Sequence, residues 1–198
     1  MSSCIESIKL QNGVFQRLKL HQKRVNKAFE ICFPGKNLFN LTELLCSGTF
    51  PQEWIYKCRI VFDENQQEIE ILPYIRREIK SLKLVDTQLD TSEFKPENRT
   101  EINAAFSKRA NCDDVLLERN GFLTDTSYCN VAFYDGENWF TPTLPLIYGV
   151  NRAELIQTGK IIEKEIPVSE LRNYKQIALF NALIEFGEIL LDIQSIQY

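Results

Sequence analysis

Three dipeptides, Asn12-Gly13, Asn120-Gly121 and Asp135-Gly136, each sit between short strand-like runs, and they constrain the fold more than any other feature. Asn-Gly and Asp-Gly tolerate the left-handed backbone that two-residue hairpin turns require. The chain is therefore expected to be built on β-hairpins. Glu6-Ser7-Ile8-Lys9-Leu10 enters the first turn and Val14-Phe15 leaves it. Val115-Leu116-Leu117-Glu118 and Phe122-Leu123-Thr124-Asp125 flank the second. Val131-Ala132-Phe133-Tyr134 and Trp139-Phe140-Thr141-Pro142 flank the third. A fourth pair, residues 56–62 and 68–74, alternates around a polar turn at 63–67.

Helical spacing separates these hairpins. Leu20, Val25, Ala28, Phe29 and Cys32 recur at helical intervals, and Pro34-Gly35 stops the run near Phe33. A shorter helix is predicted from Leu41 to Cys46, and others over residues 101–109, 152–157 and 181–186. Residues 86–97 are polar, contain Pro96 and lack a period, which marks a connection between domains. The expectation is a mixed α+β and α/β chain in two parts. Residues 1–90 form a small α/β domain, and residues 91–198 form a larger one that carries the Lys95 region.

A chain of 198 residues with 44% hydrophobic and 25% charged content can bury a core. Its net charge of -4 argues against dedicated binding to nucleic acid or anionic membranes and favours small-molecule chemistry. No run reaches the roughly 18 apolar residues of a membrane span, and the opening residues have no signal-peptide core, so a cytoplasmic protein is expected. The six cysteines are scattered without a Cys-x-x-Cys pair. Metal-ligand spacing is absent, and buried free thiols are the expected state.

The chemistry-bearing residues fall into three groups. Lys95 is a potential nucleophilic amine, followed four residues later by Arg99. Asp125 ends a predicted strand and is followed by Asn130. Gly149-Val150-Asn151-Arg152 opens a predicted helix whose first N–H groups can hold an anion, and Arg24 adds a forked permanent cation. An aldehyde cofactor with a phosphate tail and a basic ring nitrogen needs an amine, a carboxylate and a phosphate cradle. Pyridoxal 5'-phosphate is such a cofactor.

In order and spacing these motifs resemble the class-IV aminotransferase family, the fold-type IV pyridoxal-phosphate enzymes. Lys95-Pro-Glu-Asn-Arg99 resembles the family's Lys-x-x-[Asp/Asn]-Arg, and Thr124-Asp125 through Asn130 resembles Thr-Glu-x-x-x-x-Asn. Gly149-Val150-Asn151-Arg152 resembles Gly-[Ile/Val]-Thr-Arg, and His21-Gln-Lys-Arg24 resembles His-x-x-Arg. The resemblance implies a two-domain fold-type IV architecture and a homodimer. It implies Lys95 as the catalytic amine bound to the cofactor, Asp125 at the ring nitrogen, and Arg24, Val150 and Asn151 at the phosphate. Ile147 would pack on the ring. Asn181-Ala182-Leu183 resembles the Asn-Ala-Leu of aminodeoxychorismate lyases, which places Asn181 near the cofactor and Ala182 near the substrate. Arg59 would meet a substrate carboxylate or form a cross-strand ion pair.

Two departures stand out. Asp125 replaces the usual Glu, shortening its reach by roughly 1.5 Å, about one C–C bond. The family also carries a further strand region ahead of the Glu-x-Ile segment, on which this chain almost begins. The implied activity is that of an aminodeoxychorismate lyase, converting 4-amino-4-deoxychorismate to p-aminobenzoate and pyruvate for folate synthesis. The alternatives are a branched-chain or D-amino-acid aminotransferase and a shortened, non-catalytic member.

Overall fold

A computed structural model of the protein describes residues 3–45, 48 and 50–198. The chain divides into two compact units, Met1–Arg76 with Glu93–Asn98, and Arg77–Ser92 with Arg99–Tyr198.

The first unit is a four-stranded antiparallel sheet in the order β2-β1-β3-β4, formed by β1 (Cys4–Gln11), β2 (Val14–Phe15), β3 (Ile55–Phe62) and β4 (Gln67–Pro73). The β1–β2 turn has positive φ at both Asn12 (52°) and Gly13 (73°), as its sequence predicts. Helix α1 (Leu18–Cys32) covers one face of this sheet. Its Val25, Ala28 and Phe29 pack with Cys4 and Ile8 of β1 and with Cys58, Ile60 and Phe62 of β3. Side chains alternate along a strand, so Ser3, Ser7 and Arg59 belong to the opposite face. Helix α2 (Leu41–Leu45) adds Leu41 and Leu45 to the core. Cys46, where that helix is expected to end, lies outside the described residues.

The second unit contains two sheets. One is mixed, in the order β13-β5-β6-β7, from β5 (Leu82–Asp86), β6 (Asp114–Arg119), β7 (Phe122–Thr126) and β13 (Ile196–Gln197). Helix α3 (Thr100–Ser107) contributes Ala105 to a core of Val85, Val115, Leu117 and Leu146. The other runs β10-β9-β8-β11-β12, from β8 (Asn130–Tyr134), β9 (Trp139–Pro142), β10 (Ile162–Lys164), β11 (Gln176–Phe180) and β12 (Leu190–Asp192). Leu155 of helix α4 (Val150–Gln157) packs on it with Ala132, Ala178 and Phe180. The architecture is a mixed α/β fold.

Three expectations change. The Lys95 segment belongs to the first unit, because its backbone bonds to β1 (Ile5 N–H to Lys95 O, 2.9 Å), so it is not part of one continuous second half. Strand β5 was not anticipated: it pairs in parallel with β6 and β13, a pairing that leaves no turn signature beside it. The predicted helix over residues 181–186 is a turn closed by Asn181 N–H on Ile184 O (3.1 Å). The Asn181 side-chain oxygen accepts the Leu183 and Ile184 amides (2.8 and 3.0 Å), offering them a partner that competes with a helix.

Candidate active site

Within the first unit, the backbone of Lys95 to Glu97 runs antiparallel to the start of β1, with Cys4 paired to Pro96. Phe94 packs against the core of this unit, and Glu93 pairs with Lys27 of α1 at 3.2 Å. Anchored on both sides, Lys95 extends its amine along the sheet and donates to Ser7 Oγ at 3.2 Å. Nothing in the sequence motifs pointed to Ser7. The available signal was its place on β1 next to Glu6, which alternation assigns to the face opposite α1.

On the α1 face, Glu6 is 1% exposed and accepts Arg24 Nε and Nη2 at 2.7 Å each and His21 Nδ1 at 2.5 Å. Burial pushes the Glu6 carboxyl up, but the Arg24 guanidinium and His21 outweigh it and hold the carboxyl at about 2. Burial lowers the His21 imidazole, which favours its neutral form. Arg24, expected at a phosphate, is therefore gripped by Glu6 through two of its three nitrogens. Arg59 donates to Glu97 Oε1 at 2.7 Å. It forms an ion pair, but with the Lys95 segment rather than with the facing strand, where Glu70 is its register partner.

Within the second unit, the β6–β7 pairing slips between Leu116 and Glu118, giving β7 one extra residue just where Asp125 lies. A bulge of this kind re-aims a side chain. The Asp125 carboxylate turns inward, accepts Asn130 Nδ2 at 3.0 Å on each oxygen, and accepts the Ile147 amide at 3.1 Å. Asn130 Nδ2 also donates to Ile147 O at 2.8 Å, so Asp125, Asn130 and Ile147 form one closed group. Burial pushes the Asp125 carboxyl up to about 6, against the lowering effect of these donors and of the Arg152 charge. The side chain of Ile147 packs against the Val85 core.

Gly149 precedes α4 and has ordinary extended backbone (φ -69°, ψ 144°), yet it has no room for a side chain. A Cβ there would lie 1.9 Å from Asn130 Oδ1. Asn151 spends its amide nitrogen on the carbonyls of Asn181 (2.9 Å) and Ile184 (3.1 Å). Asn181 Nδ2 donates to Tyr128 O at 3.2 Å, and Ala182 lies half-buried in the same turn. Arg152 is buried on Pro142 O and Glu163, both at 2.7 Å. Asn151, Asn181 and Arg152 thus build the frame around the start of α4, and the helix offers its first-turn N–H groups at Val150 and Asn151 to an anion. Arg99 anchors the loop after Asp125, donating to Ser127 O at 2.8 Å.

The donor set fits pyridoxal phosphate. Asp125 is a buried acid whose direct partners are neutral donors, and a protonated ring nitrogen is a cationic donor that such a carboxylate holds well. The absence of a side chain at Gly149 lets Asn130, the residue that orients Asp125, approach the backbone just ahead of α4. Burial raises the thiols of Cys58, to about 11, and of Cys129, so both cysteines are packing residues and not nucleophiles. No group of metal-ligating side chains occurs among the described residues.

The chain belongs to the amino-transferase class IV family, whose model matches residues 3–190. Enzymes of this family use pyridoxal phosphate. An uncharacterized protein of Haemophilus influenzae is 31% identical over 186 residues, covering 92% of this chain and 98% of the relative. A provisionally assigned aminodeoxychorismate lyase of Schizosaccharomyces pombe is 35% identical over 98 residues, 46% of this chain and 41% of that protein. Among solved structures, a provisionally assigned 4-amino-4-deoxychorismate lyase from Haemophilus somnus superposes with a TM-score of 0.87 at 27% identity, covering 93% of this chain and 98% of that one. The branched-chain amino acid aminotransferase of Escherichia coli shares the fold, with a TM-score of 0.73 at 14% identity over 98% of this chain and 76% of that one. Within its family the chain is aminodeoxychorismate lyase-like.

Proposed function

We propose that this protein is a pyridoxal-phosphate-dependent lyase that acts on 4-amino-4-deoxychorismate, releasing p-aminobenzoate and pyruvate. The observation that carries the reading is the Lys95 amine, held on the Ser7 hydroxyl by a segment tied to β1. When bound, pyridoxal phosphate supplies an aldehyde that takes up an amine and a cationic ring that draws electrons from the neighbouring carbon.

The residues of this chain do the rest. Lys95 Nζ would be the amine that holds the cofactor's aldehyde end, and the same nitrogen would accept the proton from the carbon that carries the substrate amine. Ser7 Oγ, which accepts a hydrogen bond from Lys95 Nζ, would pass a proton toward the departing enolpyruvyl oxygen. Asp125, oriented by Asn130 and the Ile147 amide, keeps the ring nitrogen protonated. The Val150 and Asn151 amides would hold the phosphate, and the family resemblance assigns Arg24 to the same group. A cytoplasmic homodimer is part of the same proposal and rests on the family resemblance; no helix among the described residues is long and apolar enough to cross a membrane.

The second reading is an aminotransferase for branched-chain or D-amino acids, supported by the fold shared with the Escherichia coli enzyme. Purified protein should be assayed with 4-amino-4-deoxychorismate beside L- and D-amino acids with 2-oxoglutarate. Formation of p-aminobenzoate, abolished by Lys95→Ala, supports the lyase. Amino transfer without it supports the second reading, and a protein inert in both assays would be the shortened non-catalytic member. Borohydride reduction that fixes the cofactor to another lysine would overturn the Lys95 assignment.

A further inference from the structure

One residue on the lysine segment has no part in the cofactor assignment, yet ties that segment to the sheet through one main-chain and two side-chain contacts. The Glu97 amide donates to Ser3 O at 3.0 Å, its Oε2 accepts Ser3 Oγ at 2.6 Å, and its Oε1 accepts Arg59 Nη2 at 2.7 Å. Two residues earlier, Lys95 O accepts the Ile5 amide. In an extended segment, residues two apart share a side. Lys95 and Glu97 accordingly meet the same face of the sheet, Lys95 at Ser7 and Glu97 at Ser3 and Arg59.

We propose that Glu97 is a positioning residue for Lys95, clamping the segment between β1 and β3 so that the amine leaves the backbone at a fixed place and direction. The proposal rests on the reading of Lys95 as the cofactor-binding amine. A lysine side chain is rich in rotamers, so an anchored backbone matters more for it than for a stiff residue. The step served is attack of Lys95 Nζ on the aldehyde carbon, which forms one carbon–nitrogen double bond and releases one water. Arg59 and Glu97 are each about one-third exposed (31% and 36%), so solvent screens their attraction and the effect is modest. The clamp also explains why Arg59 is occupied without a substrate carboxylate.

The test compares the parent with Glu97→Ala and Glu97→Gln. Capture of pyridoxal phosphate is followed by absorption, and affinity is measured for pyridoxamine phosphate, which has no aldehyde and cannot bond to a lysine. Hydrogen exchange at the Ile5 amide is measured without ligand. Glu97→Ala should slow capture by about three- to tenfold, the scale of one partly exposed ion pair plus one hydrogen bond. Its pyridoxamine phosphate affinity should be unchanged, and the Ile5 amide should exchange faster. Glu97→Gln, which retains an acceptor for Ser3, should fall between the two. Unchanged capture and exchange in Glu97→Ala would overturn the proposal, and so would equal weakening toward both ligands, which marks a general fold defect. If the parent captures no pyridoxal phosphate, the function reading fails. Exchange at Ile5 in Glu97→Ala then still decides whether Glu97 fixes the segment.

Discussion

Arg24 grips Glu6 through Nε and Nη2, at 2.7 Å on each carboxylate oxygen, with both side chains buried between α1 and β1. Only Nη1 of the guanidinium lies outside this fork. The cation proposed for the phosphate is thus oriented by an acid from the strand that also carries Ser7.

Removing that acid leaves a buried, uncompensated charge. Glu6→Gln should lower unfolding free energy by about 3–5 kcal/mol, measured by urea denaturation at neutral pH. The sign with pH follows from the depressed carboxyl. The stability Glu6 contributes is present above its ordinary value of 4.5 and is lost as pH falls through about 2. A variant as stable as the parent at neutral pH would show that the fork is not a stabilising element.

Asp125 has the opposite sign. Its carboxyl rises from 3.8 to about 6 on folding, so its contribution is complete below 3.8 and is lost as pH climbs through 6. The difference of about two pH units corresponds to roughly 3 kcal/mol. Thermal melting of the cofactor-free protein between pH 4 and 7 should show this decline, and Asp125→Asn should flatten it. The same substitution should slow turnover on the order of a hundred- to thousandfold, the usual effect of losing a dedicated electrostatic partner. Asp125→Glu restores the family's usual length. In this nest, however, the extra methylene must displace Asn130 or the Ile147 amide, and the substitution should cost about 1–3 kcal/mol.

Gly149→Ala would place a methyl group against Asn130 Oδ1, whose amide holds both Asp125 and Ile147. We expect a loss of about 1–3 kcal/mol from the displaced hydrogen bonds, together with a shifted pH profile for Asp125. Chemical denaturation and the pH–melting curve measure the two effects separately. A fully stable variant with an unaltered pH profile would mean that Asn130 can move without consequence.

Asn181→Ala removes the acceptor of two amides and the donor to Tyr128 O. The expected cost is about 1–3 kcal/mol in stability. Weaker phosphate binding should accompany it, because the turn that the Asn181 side chain closes places the main-chain carbonyls of Asn181 and Ile184 that hold Asn151 at the start of α4. Affinity for inorganic phosphate, compared with melting temperature, separates the two.

The hairpins were legible because Asn12-Gly13, Asn120-Gly121 and Asp135-Gly136 impose their turn locally, and α1 because its apolar stripe repeats every three to four residues. Asp125 and Gly149 could be singled out by motif, but their shared dependence on Asn130 could not, since it arises where β7, β8 and the approach to α4 converge. Glu6 and Glu97 were missed as partners of Arg24 and Arg59 for the same reason. An ion pair across eighteen or thirty-eight residues leaves no periodic trace in sequence. Asn181 misled because a short apolar run reads as helix until its own side chain takes the amides.

The return of Glu93–Asn98 to the first unit means that the chain passes between units at three places, after Arg76, Ser92 and Asn98. No single cut yields either unit whole. During synthesis, the edge of β1 at Cys4 and Ile5 stays without its backbone partners until Lys95 and Pro96 have emerged. By then β5, which belongs to the other unit, has already been made. At about 5–20 residues per second the nascent N-terminal sheet waits on the order of a second or more for its last strand-like piece, so the segment that carries the proposed catalytic amine is also the one that completes the first unit.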